Sequence, residues 1–259
     1  MNLQPICTVL LAAMSIAVLC GCLKPAKPSA KGVNSAAIAA TEESHTKAEN
    51  CKMAYCNEQY RQSPINLEPT DSLSRHALVF QYVPSHEIIE NLGHTVKLHY
   101  KQGNRLSFDG KDYDLVQFHF HTLSEHRLQG TPFPMELHLV HQSTDSAYLV
   151  VGVLFVEGRE NEFLSRFIRD IPRAEGGRKT SKNVVDLNSA LPKNKRFYLY
   201  GGSLTTPPFT EGVRWIVFKE PTECAAAQIN AFREIEGFNA RALQALNQRI
   251  VEVVESPQK

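Results

Sequence analysis

Two histidines one residue apart, His119 and His121, sit in the run LVQFHFHT, and a third, His138, lies in MELHLVHQ. Both runs are rich in β-branched and aromatic residues, which favour strands. In a strand, side chains two apart share a face, so His119 and His121 stand side by side while Phe118 and Phe120 point the other way. If the second strand neighbours the first, His138 supplies a third imidazole. Three neutral imidazoles with an open fourth position are the ligand set of a catalytic zinc site. The same spacing also occurs on strands that bind nothing, so it leaves metal binding open. Gln117 and Glu136 each lie two residues before a candidate ligand, on the same strand face. Either can accept the second N–H of an imidazole and fix its orientation, as metal-bound histidines require. Either can equally be a polar strand residue facing water. A buried Glu136 is costly unless positive charge lies near it.

The elements that must hold these residues are mostly strands. Runs at 78–83, 94–100, 115–122, 135–142, 148–158 and 214–221 are β-branched or aromatic and bounded by turn residues. Asp109-Gly110 between two runs predicts a hairpin turn. YLVVGVLF lacks alternation, which predicts a central strand buried on both faces. Helical spacing covers 160–171, and Thr222 stands where it could cap a helix through AAAQINAFREI. The expected fold is α+β, mainly β: a large, twisted, mostly antiparallel central sheet with peripheral helices. No internal repeat or second linker divides residues 51–259, which read as one catalytic domain.

Net charge is +1, so no basic excess points to nucleic acid. The apolar run from Ile6 to Leu19 is shorter than the roughly 20 residues that span a bilayer, and its length suits a secretory signal. It ends in Leu19-Cys20-Gly21-Cys22, which resembles a bacterial lipobox, with Cys22 as the acylated residue. The first five residues carry no Lys or Arg, where such signals are usually positive. Residues 1–22 are therefore expected to be a signal peptide with lipobox, and 23–50, rich in Pro, Ser and Ala, a disordered tether. The chain is expected to be exported, periplasmic or at the cell surface, and held to a membrane only through lipid on Cys22. Cys51, Cys56 and Cys224 remain. They allow at most one bridge, Cys51–Cys56 or Cys56–Cys224, and a buried free thiol is the alternative.

QFHFHTLSEH at 117–126, MELHLVH at 135–141 and YGGSLTTPPFTEGVRWIVFKEP at 200–221 resemble the α-class carbonic anhydrases, as do RQSPINL at 61–67 and NARALQALNQR at 239–249. The segments are collinear and cover most of residues 61–250. Carbonic anhydrases are themselves the standard example of a three-histidine catalytic zinc site. The resemblance implies the α-carbonic anhydrase fold and reversible hydration of carbon dioxide to bicarbonate and a proton, by attack of zinc-bound hydroxide. It implies that His119, His121 and His138 bind Zn²⁺. Gln117 would orient His119, Glu136 would orient His138, and the Asn239 carbonyl would receive the N–H of His121. Thr205 would donate its hydroxyl proton to Glu125 and accept from the hydroxide, its backbone N–H holding a substrate oxygen. Thr206 would line the pocket, with Val140, Val150, Leu204, Val213 and Trp215 as its apolar wall. His94 would shuttle protons, histidine being the side chain that titrates near neutrality. Sulfonamides and small anions are expected inhibitors.

The chain departs from the family pattern in places. The segment before QSPI holds no Trp, and Phe209 stands where many bacterial relatives carry the second cysteine of a bridge. Leu92 and Lys97 replace polar uncharged residues near His94. An inert binding module of the same fold would lose a zinc histidine, and this chain keeps all three. A cupin-like metalloenzyme explains the histidine pair but not SLTTPP or QSPI. Ester hydrolysis at the same site is compatible with the main reading.

Overall fold

The path from sequence to architecture runs through one long strand whose buried face changes parity. In the computed structural model, which describes residues 60–68 and 72–255, the strands are β1 Asn66–Leu67, β2 Leu73–Ser74, β3 Leu78–Gln81, β4 Ile88–Asn91, β5 Val96–His99, β6 Arg105–Phe108, β7 Lys111–His121, β8 Arg127–Leu128, β9 Met135–Gln142, β10 Tyr148–Glu157, β11 Arg178–Thr180, β12 Phe197–Ser203, β13 Glu211–Phe218, β14 Thr222–Cys224 and β15 Glu252–Val254. The helices are α1 Glu162–Ser165 and α2 Ala226–Glu236, with two 3₁₀ turns between them. The expected signal peptide, lipobox and tether, the Cys51–Cys56 pair and His45 lie outside the described residues.

In β7, Tyr113 and Leu115 are buried in the main core, and so are Phe118 and Phe120. Odd and even positions cannot share a face in a regular strand. The register against β9 shifts between Leu115 and Gln117, placing one extra residue there. This bulge lets Phe118 and Phe120 continue the core face and turns Gln117, His119 and His121 to the other side. Without it the core face would carry two histidines. Fully burying each phenylalanine contributes about 1.5–3 kcal/mol, so the apolar residues decide where the histidines point.

Thirteen strands form one sheet, with the order β11-β4-β5-β7-β9-β10-β13-β12-β15-β2 along its main path. The pairings β4–β5, β5–β7, β7–β9, β9–β10 and β12–β13 are antiparallel, whereas β10–β13 is parallel. The mainly antiparallel sheet expected from sequence is thus present with a mixed centre. β10 is buried from Leu149 to Phe155 between β9 and β13, as its unbroken apolar run predicts. Asp109 and Gly110 close the β6–β7 hairpin, both with positive φ (51° and 77°), as a two-residue turn of this type requires.

Separate from a second apolar cluster that includes Val140, Val150 and Trp215, the main core lies on one side of this sheet. Phe118 and Phe120 pack there against Phe163 and Phe167, and α2 lays Phe232 onto Phe120 with ring centroids 4.3 Å apart. Helical structure over 160–171 is shorter than its spacing predicts. Asn161 caps α1 by accepting from Leu164 N–H, but the backbone leaves the helical region at Phe167 (φ −134°), and both rings then reach Phe118. Thr222 does not cap α2. It belongs to β14, which pairs with the end of β10, and the Gln228 side chain accepts from the N–H of Ala225 at the helix start. Cys224 is a buried free thiol, so the Cys56–Cys224 bridge left open by the sequence is not formed. Burial pushes that thiol up to about 12, which keeps it protonated. Among the described residues no helix is long and apolar enough to cross a membrane.

Candidate metal centre

On the face opposite the main core, register alone brings the three histidines together. His119 of β7 pairs directly with His138 of β9, and His121 pairs with Glu136. The ring centroids of His119, His121 and His138 lie 5.0, 5.3 and 4.6 Å apart pairwise. One nitrogen from each lies within 4.8 Å of the others, a group that could hold a metal ion.

Their outer contacts sort the nitrogens. His119 Nδ1 is 2.9 Å from Gln117 Oε1, and the Gln117 oxygen can only accept, so this nitrogen carries the proton and Nε2 keeps a lone pair. His138 Nε2 is 2.9 Å from Glu136 Oε1, which leaves Nδ1 for the centre. Both contacts match the expected orienting pairs. His119 Nε2 and both His121 nitrogens are buried without a hydrogen-bond partner. Burial holds all three imidazoles below their ordinary pKa, His121 at about 4. Neutral, desolvated imidazoles converging on one point, two of them with unpaired nitrogens, fit a zinc ion, whose binding would satisfy them.

Asn239 stands beside His121, as the resemblance implies. Its backbone and side chain lie against His121 and favour the charged ring, yet His121 Nδ1 makes no hydrogen bond of standard geometry. Its side chain is engaged elsewhere: Oδ1 accepts from Thr122 N–H, and Nδ2 donates to the carbonyls of His94 and Phe120. Asn239 thereby ties the end of β7 to the His94 turn.

Glu136 is the hub behind the metal centre. It is fully buried, and its Oε2 accepts from the backbone N–H groups of Glu125 and His126, both at 2.8 Å. Its Oε1 takes His126 Nδ1 at 2.7 Å as well as His138. Burial alone would raise its pKa, but the His126 and His138 contacts outweigh it and hold the carboxyl well below the usual range. Gly152, in register with His138, makes this approach possible, because a Cβ there would sit 2.9 Å from Glu136 Oε1. Beyond it, His126 Nε2 meets Tyr200 Oη at 2.7 Å, Tyr200 meets Ser63 Oγ at 2.9 Å, and Ser63 Oγ accepts from Ser203 N–H. Sequence reading gave no role to His126, Tyr200 or Ser63, although all three lay inside the quoted motifs. His126 and Tyr200 are 74 positions apart, and nothing local marks them as partners.

Glu125 lies 3.6 Å from His121 Nε2 and 3.9 Å from His138 Nδ1. Arg241 N–H donates to its Oε1 at 2.9 Å. Burial raises its pKa, and His138 and the Thr205 hydroxyl pull it down. Thr205 thus stands beside Glu125 as expected, although Oε2 carries no hydrogen bond of standard geometry.

A cavity of about 220 Å³ opens above the histidines. Val140, Val150, Leu204 and Trp215 form its apolar side, with Thr205 and Thr206 beside them. Val213 is buried in the same apolar cluster and is not among the residues lining the cavity. Lys97, Val116 and Tyr148 line the cavity without having been expected to. His94 is exposed on the turn before β5 and does not line it. The remaining histidines stay outside: His141 is a core residue bonded to Tyr82, and His76, His86 and His99 bond to Asp109, Ser181 and Glu90.

The same arrangement of segments is found in known proteins. The sequence model of the eukaryotic-type carbonic anhydrase family matches residues 43–255. The chain is similar to the carbonic anhydrase of Neisseria gonorrhoeae, 40% identical over 198 residues, covering 76% of this chain and 78% of that protein. Among solved structures it resembles the α-carbonic anhydrase of Thermovibrio ammonificans in complex with the inhibitor sulfanilamide, with TM-score 0.73, 40% identity and coverage of 76% and 88% of the two chains. The α-carbonic anhydrase of Photobacterium profundum also has TM-score 0.73, at 36% identity, covering 80% of this chain and 95% of that one. A paired-strand histidine triad beside an apolar pocket, on a sheet of this topology and with these relatives, makes the chain a member of the α-class carbonic anhydrase family, zinc-dependent enzymes that hydrate carbon dioxide.

Proposed function

We propose that in this chain His119, His121 and His138 hold the zinc ion and that the adjoining cavity is where carbon dioxide is hydrated. The observation that carries this assignment is the convergence of three neutral imidazoles, with His119 Nε2 and both His121 nitrogens buried and unpaired and His138 Nδ1 left to the centre by the Glu136 contact at Nε2. Zinc, when bound, supplies Lewis-acid activation of water at neutral pH.

The chain's own residues supply the rest. Gln117 and Glu136 fix the tautomers, so that His119 Nε2 and His138 Nδ1 present lone pairs. Glu125 accepts the Thr205 hydroxyl proton, leaving only lone pairs of Thr205 Oγ facing the cavity, an acceptor that orients a hydroxyl donor. The apolar side formed by Val140, Val150, Leu204 and Trp215 suits an uncharged, weakly hydrated substrate. Asn239 positions the His94 turn, and the exposed His94 exchanges protons with solvent buffer. Stopped-flow hydration by Thr205→Ala and Glu125→Gln tests the orienting pair. Each is expected to lower kcat/KM by about 10²-fold with zinc retained, in line with loss of one preorganised hydrogen-bonding group. Unchanged kcat/KM in both would refute the pair's role.

The same reading extends to inhibitors and location. Sulfonamides and small anions compete for the cavity. Export, with lipid on Cys22, is supported by the apolar run and the Leu-Cys-Gly-Cys segment. Membrane fractionation of wild type against Cys22→Ser tests it, with release of the variant into the soluble fraction expected.

A further inference from the structure

Among the described residues the cavity has one cation on its wall, Lys97, which the hydration of a neutral gas does not require. β5 alternates: Val96 and Leu98 face the core, while Lys97 and His99 face the other way. Lys97 pairs in register with His119 and lines the cavity beside Gln117 and Thr206.

The ammonium group has no committed partner. Among the described residues Lys97 makes no hydrogen bond or ion pair. Its other cross-strand neighbour, Glu90, feels its charge but is bonded to His99 at 2.7 Å and lies 3.9 Å from Arg178. Among the described residues no carboxylate lines the cavity. Gln117 spends its oxygen on His119 and so keeps its amide N–H groups as further donors.

We infer that Lys97, with the Gln117 amide, makes the polar side of the cavity an anion subsite that takes bicarbonate. This rests on the cavity being the reaction site. Carbon dioxide is uncharged and gains nothing from the lysine, whereas its product is an anion. The equilibrium constant fixes the ratio of kcat/KM for the two directions, so Lys97 cannot favour one direction in that ratio. Its charge acts instead on how tightly the anion is held, and salt screens that effect. A unit charge pair at about 4 Å in water-like surroundings corresponds to roughly a fivefold change in affinity.

Trp215 is the single tryptophan of the chain and lines the cavity, so its fluorescence reports ligand binding without turnover. The zinc-loaded full chain is titrated near pH 8 with bicarbonate and, in parallel, with uncharged 1,2,4-triazole. In Lys97→Gln bicarbonate is expected to bind about fivefold more weakly at low ionic strength, with triazole unchanged and the difference vanishing at about 1 M salt. Lys97→Arg is expected to stay within about twofold of wild type, since it keeps the charge. Equal bicarbonate affinity in Lys97→Gln, or equal weakening of both ligands, overturns the subsite. A wild-type chain that binds zinc but neither ligand overturns the site assignment, and the subsite with it.

Discussion

Replacing Glu136 by Gln changes one atom and tests how the centre is built. The carboxylate accepts four N–H donors: two backbone groups at Oε2, and His126 and His138 at Oε1. An amide oxygen can keep the two backbone donors. Its NH₂ group then faces His126 Nδ1 and His138 Nε2, and a donor cannot face a donor. His138 must shift to the tautomer protonated at Nδ1, the nitrogen that would otherwise face the centre. Zinc affinity is therefore expected to fall by at least the roughly 10–100-fold typical of losing such an outer partner. All four bonds also lose the carboxylate charge, at about 1 kcal/mol each, so stability should drop by roughly 4 kcal/mol. Chelator competition gives the zinc affinity, and nitrogen NMR of the histidine rings gives the tautomer. Unchanged zinc affinity with His138 still protonated at Nε2 would refute the reasoning.

His94→Ala should slow turnover in weak buffer and recover with added imidazole, measured by stopped flow at several buffer concentrations; absence of rescue would remove His94 from proton transfer. Glu87 is fully buried, and burial pushes its carboxyl up to about 8. With the folded value above the unfolded one, stability is fully present below pH ~4.5 and lost as pH rises to about 8, a span on the order of 3–5 kcal/mol. Glu87→Gln should flatten melting temperature against pH across that window, and an unchanged slope would contradict this. Phe118→Ala empties a fully buried site behind the histidine strand and should cost about 3–5 kcal/mol in denaturant unfolding; a loss below 1 kcal/mol would show that Phe118 does not anchor β7.

Much of the site was legible because it is periodic. His119 and His121 share a strand face, and Gln117 and Glu136 precede their ligands by two residues, a spacing the sequence displays directly. The bulge at Leu115–Gln117 was not visible, since only pairing with β9 reveals the extra residue. The run from Glu136 through His126 and Tyr200 to Ser63 joins segments far apart in sequence, and polar contacts between distant segments leave no local signal. The helix through AAAQINAFREI forms over Ala226–Glu236 as expected, and two details of the helices differ. Aromatic packing ended α1 early, and strand pairing with β10 claimed Thr222. Lys97 was visible as a departure near His94, but its place on the cavity wall follows from the β5–β7 register.

The most direct test of the central claim is the zinc content of purified wild type and of His119→Ala, His121→Ala and His138→Ala, with carbon dioxide hydration measured on the same samples. The predicted result is one zinc per wild-type chain with hydration blocked by a sulfonamide, and loss of both zinc and hydration in each variant that remains folded. Full zinc occupancy and undiminished hydration in any one of the three variants would contradict the assignment.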